Sequence, residues 1–155
     1  MYTIEPFRKE NAETIAAWCR GKGETFLYQW GVDDYRYPLT AEQIETRLRQ
    51  GAEIFQVTQN GALTATIEIL FSKKTTATAG KFLVDPSRTA KGVGSAVMTA
   101  FQQYCKETLG FSALSIYAFD FNLPALKCYQ KCGFSPVAKE TRKNGMTAIL
   151  LTAEL

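Results

Sequence analysis

Leu83-Val84-Asp85-Pro86-Ser87-Arg88-Thr89-Ala90-Lys91-Gly92-Val93-Gly94 is the stretch across which the hydrophobic period of the chain changes. Before it, Thr76 to Val84 reads as a strand, and Asp85-Pro86 ends that strand because proline has no N–H for the ladder. After it, Val93, Val97, Ala100, Phe101 and Tyr104 fall at i, i+4, i+7, i+8 and i+11, which predicts an amphipathic helix to about Leu109, stopped by Gly110. A strand, a tight turn and a helix in succession aim several free N–H groups and the positive end of a helix dipole at one spot, a natural site for phosphate. Gly92 and Gly94 let the backbone approach an anion closely, and Arg88 and Lys91 can neutralise charge at the rim. On its own, a glycine pair before a helix can equally be only a turn. Two nucleotide motifs do not fit. A P-loop needs Gly-Lys-Ser/Thr, whereas Lys91 precedes Gly92, and the third small residue of a dinucleotide fingerprint is replaced by Val97.

Working outward, Tyr2 to Phe7 reads as a first strand and Asn11 to Cys19 as a helix with Ile15, Ala16 and Cys19 on one face. Thr40 followed by Gln43 is a capping box opening a helix with Ile44 and Leu48 inward. Between them, Glu24 to Pro38 carries Phe26, Leu27, Tyr28, Trp30, Tyr35 and Tyr37 without a clean period, and reads as a lid over the core or a substrate wall. Glu53 to Gln59 and Ala62 to Phe71 flank Asn60-Gly61, a type I′ hairpin signal. Ala113 to Ala118 is a strand, and Leu123 to Lys131 a helix capped by Asn122 and ended by Gly133. Two last strands meet at Asn144-Gly145. The order is β-α-α-β-β-β-α-β-α-β-β, so the expected class is α+β: three layers, α/β/α, around a mixed and mostly antiparallel central sheet.

With 155 residues, 46% hydrophobic and 21% charged, the chain suits one compact domain over 1–155. No basic region leads into a long apolar run, so a cytoplasmic protein without a membrane segment is expected. A net charge of +3 with scattered Lys and Arg argues against nucleic acid and permits an anionic ligand. The chain has no histidine, which removes Ser-His and Cys-His nucleophile pairs, His-based zinc sites and imidazole bases. Cys19, Cys105, Cys128 and Cys132 read as free thiols. Cys128 and Cys132 share a helix face, but no partners at ligand spacing accompany them, so no metal is expected.

Asn122, Ala125 and Tyr129 lie at i, i+3 and i+7, hence on one helix face, and Gly133-Phe134 closes that unit. Together with Val84-Asp85-Pro86 and Lys91-Gly92-Val93-Gly94, this resembles the GNAT acetyltransferase superfamily over about Thr76 to Phe134. The resemblance implies acetyl transfer from acetyl-CoA to a primary amine by direct attack, without a covalent enzyme intermediate. It implies that the backbone of Arg88, Thr89, Ala90, Lys91, Gly92, Val93, Gly94 and Ser95 holds the pyrophosphate of the coenzyme. Phe82 and Val84 would bind the pantetheine arm through their backbone, Asn122 and Ala125 would flank it, and Tyr129 would stand near the thioester sulfur. The family usually has Arg or Gln where this chain has Thr89, which shifts expected phosphate contacts from a side chain to backbone amides.

The chemistry sets three tasks. A primary amine is mostly protonated at neutral pH, and losing that proton costs roughly 3 to 4 kcal/mol. Glu68, which alternates with Ile67 and Ile69 and so faces a cleft or solvent, is the candidate base, ahead of Asp33, Asp34 and Asp120. A backbone N–H near Val84 can stabilise the oxyanion, and Tyr129 can protonate the leaving thiolate. Tyr28 and Trp30, with Glu24, Asp33 and Asp34 nearby, are candidate walls for a cationic acceptor: a polyamine, an aminoglycoside or a peptide N-terminus. A non-catalytic module binding acyl-coenzyme A or a protein partner is the alternative. A monomer and a homodimer are both compatible with the sequence.

Overall fold

The computed structural model describes residues 1–88 and 92–155, so the expected phosphate contacts at Thr89, Ala90 and Lys91 lie outside the described residues. The chain falls into two compact units, Met1–Ile69 with Lys81–Arg88, and Leu70–Gly80 with the described part of 89–155. Among the described residues there are seven strands and five α-helices, the α+β content expected. None of those helices is long and apolar enough to cross a membrane.

In the first unit, β1 (Tyr2–Pro6) pairs antiparallel with β2 (Glu53–Gln59), and β2 with β3 (Ala62–Lys73). Asn60 and Gly61 have φ of 52° and 80°, the two left-handed residues that a type I′ turn demands. Helix α1 (Ala12–Arg20) buries the expected Ile15, Ala16 and Cys19. Helix α3 (Ala41–Arg49) begins at Thr40, whose hydroxyl accepts from the Gln43 N–H at 3.4 Å. The Gln43 side chain binds both the N–H and the carbonyl of Arg36 and the carbonyl of Pro38, closing the loop before α3. The aperiodic segment contains a helix, α2 (Glu24–Gly31). Its two turns bury only Leu27 and Gly31, too few inward positions to show a 3.6-residue period among so many aromatics. Val32, at φ 53°, ends it abruptly and turns the chain toward Asp34 and Tyr35.

Strand β4 (Thr76–Val84) gives its last residues, from Lys81, to this unit and ends where expected. The Asp85 N–H donates to the Thr64 carbonyl at 2.8 Å, and the Asp85 carboxylate accepts from the Ser87 N–H and hydroxyl, both at 2.9 Å. That Asx turn carries the chain through Pro86 to Arg88.

In the second unit β4 pairs parallel with β5 (Ala113–Phe119), and α4 (Val93–Glu107) is the helix between them, the crossover that the sequence predicts. Strand β7 (Thr147–Glu154) pairs antiparallel with β5 and with β6 (Ser135–Thr141). Leu114, Ile116 and Ala118 alternate inward on β5, and Ala148, Ile149, Leu151 and Ala153 are buried on β7. The inward face of α4 is Val97, Met98, Phe101 and Cys105, with Val93, Ala100 and Tyr104 only half-buried. The face is therefore turned slightly from the expected one, since a Tyr with its polar tip in water satisfies the same period.

Candidate active site

Helix α5 (Leu123–Lys131) positions the motif of the second unit, and its ends explain why. Asn122 caps it, its side-chain oxygen accepting from the Ala125 N–H at 3.3 Å. At the other end Gly133 takes φ 90°, its N–H donates to the Gln130 carbonyl, and the Phe134 N–H donates to the Tyr129 carbonyl. These two bonds are a Schellman cap, and the apolar contact such a cap brings is the Tyr129–Phe134 ring pair at 5.8 Å. The spacing Tyr129 to Gly133-Phe134 is thus a device that fixes Tyr129, 6% exposed. Burial, with smaller contributions from Cys128 and Cys132, raises the Tyr129 phenol well above its ordinary range. It stays protonated throughout the neutral range and is able to donate.

Helix α4 meets α5 through small and sulfur-bearing groups. The Cys132 thiol donates to the Ser95 carbonyl at 3.4 Å, Ser95 Oγ donates to Cys128 Sγ at 3.6 Å, and Gln102 donates to the Cys132 carbonyl at 2.9 Å. A Cβ on Gly94 would stand 3.6 Å from Cys128 Sγ, so a side-chain atom added beyond it toward α5 would meet that thiol. Gly92 begins α4 with φ 80° and, having no side chain, cannot cap it. No acidic residue occupies the first turn, and a Cβ on Gly92 would lie 3.8 Å from the Lys131 ammonium. A cation stands beside the positive end of a helix dipole, an arrangement that favours an anion there. Lys131 was not among the expected contacts, because its nearness to Gly92 comes from the packing of α5 on α4.

In the first unit a cavity of about 10 Å³ has Trp30, Tyr35, Glu68 and Lys81 in its lining. Phe7, Ile15, Ile44 and Ile54 supply its apolar side. Alternation along β3 predicts that Glu68 faces a cleft or solvent. The side chain borders this cavity and, at 4% exposed, does not face solvent; its two oxygens accept from Arg47 Nη1 at 2.5 Å and Nη2 at 2.7 Å. The hydrogen bond to Glu68 outweighs burial and raises the Arg47 guanidinium still further above its high range. Arg47 Nη1 also donates to Tyr35 Oη at 3.3 Å, and its guanidinium lies 5.3 Å from the Tyr35 ring. Burial raises the Tyr35 phenol, with Arg47 opposing. The Tyr35 ring stacks on Trp30 at 5.6 Å, and Trp30 on Phe26 at 6.4 Å. Lys81, with φ 50° and its side chain 5% exposed, pairs with Asp34 at 2.5 Å.

Trp30 and Glu68 are therefore brought together, whereas Tyr28 is 47% exposed and does not line the cavity. Arg47 and Lys81 escaped the sequence reading. The signal for Arg47 was a charge at i+3 from Ile44 on an inward stripe; that for Lys81 was its place four residues after Ala77 and two after Ala79 in one alternation. Phe82 and Val84, half-buried, flank buried Leu83 in the same unit, and Arg88 binds Asp85 at 3.4 Å. Asp33 and Asp120 are exposed, and among the described residues no group of three or more His, Cys, Asp or Glu gathers as metal ligands would.

The acetyltransferase (GNAT) family matches residues 12–134, most of the chain and parts of both units. The chain belongs to that family, and its class is acyltransferase. Solved structures of similar fold include a spermidine N-acetyltransferase from Vibrio cholerae in complex with CoA and spermine, with TM-score 0.80 and 13% identity, covering 99% of this chain and 95% of that one. A ribosomal-protein-S5-alanine acetyltransferase from Vibrio fischeri matches with TM-score 0.78 and 16% identity over 99% and 92%. The aminoglycoside acetyltransferase AAC(6')-Ib, in complex with coenzyme A and kanamycin, matches with TM-score 0.77 and 14% identity over 99% and 95%. At these identities the likeness is one of fold. No curated protein matches the chain in sequence.

Proposed function

We propose that residues 1–155 act as one N-acetyltransferase domain that transfers an acetyl group from acetyl-CoA to a primary amine, a small amine or a peptide N-terminus. The observation that carries this reading is the start of α4: an uncapped left-handed Gly92, no acidic residue in the first turn, and the Lys131 ammonium close by. Gly92, Val93, Gly94 and Ser95 hold the pyrophosphate through backbone N–H groups, with Lys131 and Arg88 as counter-charges. Thr89, Ala90 and Lys91 are assigned to the same pyrophosphate contact. Phe82 and Val84 offer main-chain groups to the pantetheine arm, and Asn122 and Ala125 flank it. Acetyl-CoA supplies an activated acyl group, so the chain itself needs no nucleophile.

Tyr129 donates the proton that the leaving thiolate takes up, a role that its burial supports by keeping the phenol neutral. Glu68, with both oxygens engaged by Arg47, is assigned to the acceptor pocket as the partner that holds Arg47, and the amine loses its proton to water. Trp30 lines that pocket and Tyr28 its outer approach. Four free cysteines support a reducing, cytoplasmic setting, with the enzyme a monomer or homodimer acting on neither nucleic acid nor membrane.

The test is coenzyme binding and turnover measured together. Acetyl-CoA should raise the Tm of the purified chain, and a panel of primary amines should release free coenzyme A. Tyr129→Phe should lower kcat at least tenfold with the acetyl-CoA shift retained. An unchanged kcat removes Tyr129 from the chemistry.

A further inference from the structure

The first-unit cavity permits a census of donors and acceptors. Of its lining residues Glu68 carries a carboxylate, already paired with Arg47, and Asp34, outside the lining, pairs with the lining Lys81 at 2.5 Å and lies 3.9 Å from Arg47. The Thr66 hydroxyl donates to the Phe55 carbonyl at 3.0 Å. What remains is a surplus of donors. The indole N–H of Trp30 is buried without a hydrogen-bond partner. Tyr35 Oη accepts from Arg47 and so keeps its own proton to give. The Lys81 ammonium has three N–H groups, of which Asp34 takes one. A buried donor left unpaired is costly, and the cavity has room for about one water-sized group.

We infer that the acceptor is a primary amine carrying a neighbouring carbonyl or carboxylate oxygen, and that Trp30, Tyr35 and Lys81 receive that oxygen in this cavity. The inference rests on the acetyltransferase reading above and narrows its substrate class. A polyamine or aminoglycoside brings several cations to a place where two cations already sit and both carboxylates are paired. An amino acid derivative or a peptide N-terminus brings one amine and the acceptor atom that the indole N–H lacks.

The experiment uses the intact chain. A thermal shift with acetyl-CoA first tests the underlying reading: no shift sinks that reading and this inference with it. Where acetyl-CoA binds, coenzyme A release is compared for alaninamide, alanine, n-propylamine and spermidine, and the further thermal shift from each amine is recorded on the coenzyme A-bound protein. The expected result is kcat/KM for alaninamide or alanine about tenfold or more above that for propylamine and spermidine, as one or two added hydrogen bonds allow. Preference for alaninamide identifies a carbonyl, and preference for alanine a carboxylate. Trp30→Phe and Lys81→Met should each shrink the alaninamide-to-propylamine ratio about three- to tenfold, through KM rather than kcat. Spermidine or propylamine used as well as alaninamide overturns the inference. So does an alaninamide-to-propylamine ratio that neither variant moves, which would mark the cavity as a water site.

Discussion

Replacing Arg47 by Met leaves the Glu68 carboxylate, 4% exposed, with neither of its two charge-assisted bonds. Each such bond contributes about 1.5 to 3 kcal/mol, and removing one partner of a buried pair costs about 3 to 5 kcal/mol. The Arg47 side chain is 18% exposed, so water can reach the vacated side, which puts the cost near the lower limit, about 3 kcal/mol. For a chain of this size that is roughly 6 to 12 °C in Tm. Glu68→Met orphans the guanidinium instead and should cost somewhat less, about 2 kcal/mol, because Arg47 keeps Tyr35 and some solvent. Removing both charges leaves an apolar pair, and the double variant should lie within about 1 kcal/mol of the parent. Urea unfolding followed by tryptophan fluorescence and circular dichroism measures all four proteins and gives the coupling energy, expected at about 4 to 6 kcal/mol and of opposite sign to the single losses. Additive single effects, or an Arg47→Met cost below about 1 kcal/mol, would refute the argument that this pair holds the pocket together.

Other outcomes follow from the second unit and the buried thiols. Gly94→Ala should fold and bind acetyl-CoA, since a Cβ there makes an ordinary 3.6 Å contact with Cys128, whereas Gly94→Val should abolish the acetyl-CoA thermal shift. Lys131→Met should weaken acetyl-CoA binding about three- to tenfold, and the difference from the parent should shrink in high salt; an unchanged Kd would remove Lys131 from the site. Burial pushes the Cys19 and Cys105 thiols up from 9.0 to about 12. A neutral thiol favoured in the folded state contributes stability that is complete below about pH 9 and drains away as pH rises toward 12. Urea midpoints should therefore fall between pH 9 and 11, less steeply in Cys105→Ala than in the parent.

Elements defined by local rules were legible in the sequence. Asn60-Gly61 demanded its turn, Asp85-Pro86 its strand end, and Asn122 with Gly133 the two ends of α5. The α2 helix was hidden because aromatic side chains lie half-buried around its surface, so only Leu27 and Gly31 mark its inward side. The face of α4 was read one residue off because hydropathy treats Tyr104 and Met98 alike, while packing leaves the first half exposed and buries the second. In the candidate site, the glycines and Tyr129 carried a signature in their spacing. Arg47 and Lys81 carried only their register with Ile44 and Ala79, and Lys131 carried nothing, because charged residues are named by the partners they meet across many positions of chain, and those meetings exist only after folding. Glu68 shows the same limit: its alternation was right, but only the fold supplies the guanidinium that binds it.

The paired charges of the first unit have a consequence for the rate at which an acceptor arrives. Arg47 with Glu68 and Lys81 with Asp34 form two short dipoles whose fields largely cancel within a Debye length, about 8 Å at physiological salt. If the proposed acceptor pocket lies here, these two pairs add little long-range potential to draw a charged amine from solution, and recognition by them begins at contact. A pocket of paired charges discriminates by an acceptor's shape more than by its charge, and that discrimination shows in how long the acceptor stays.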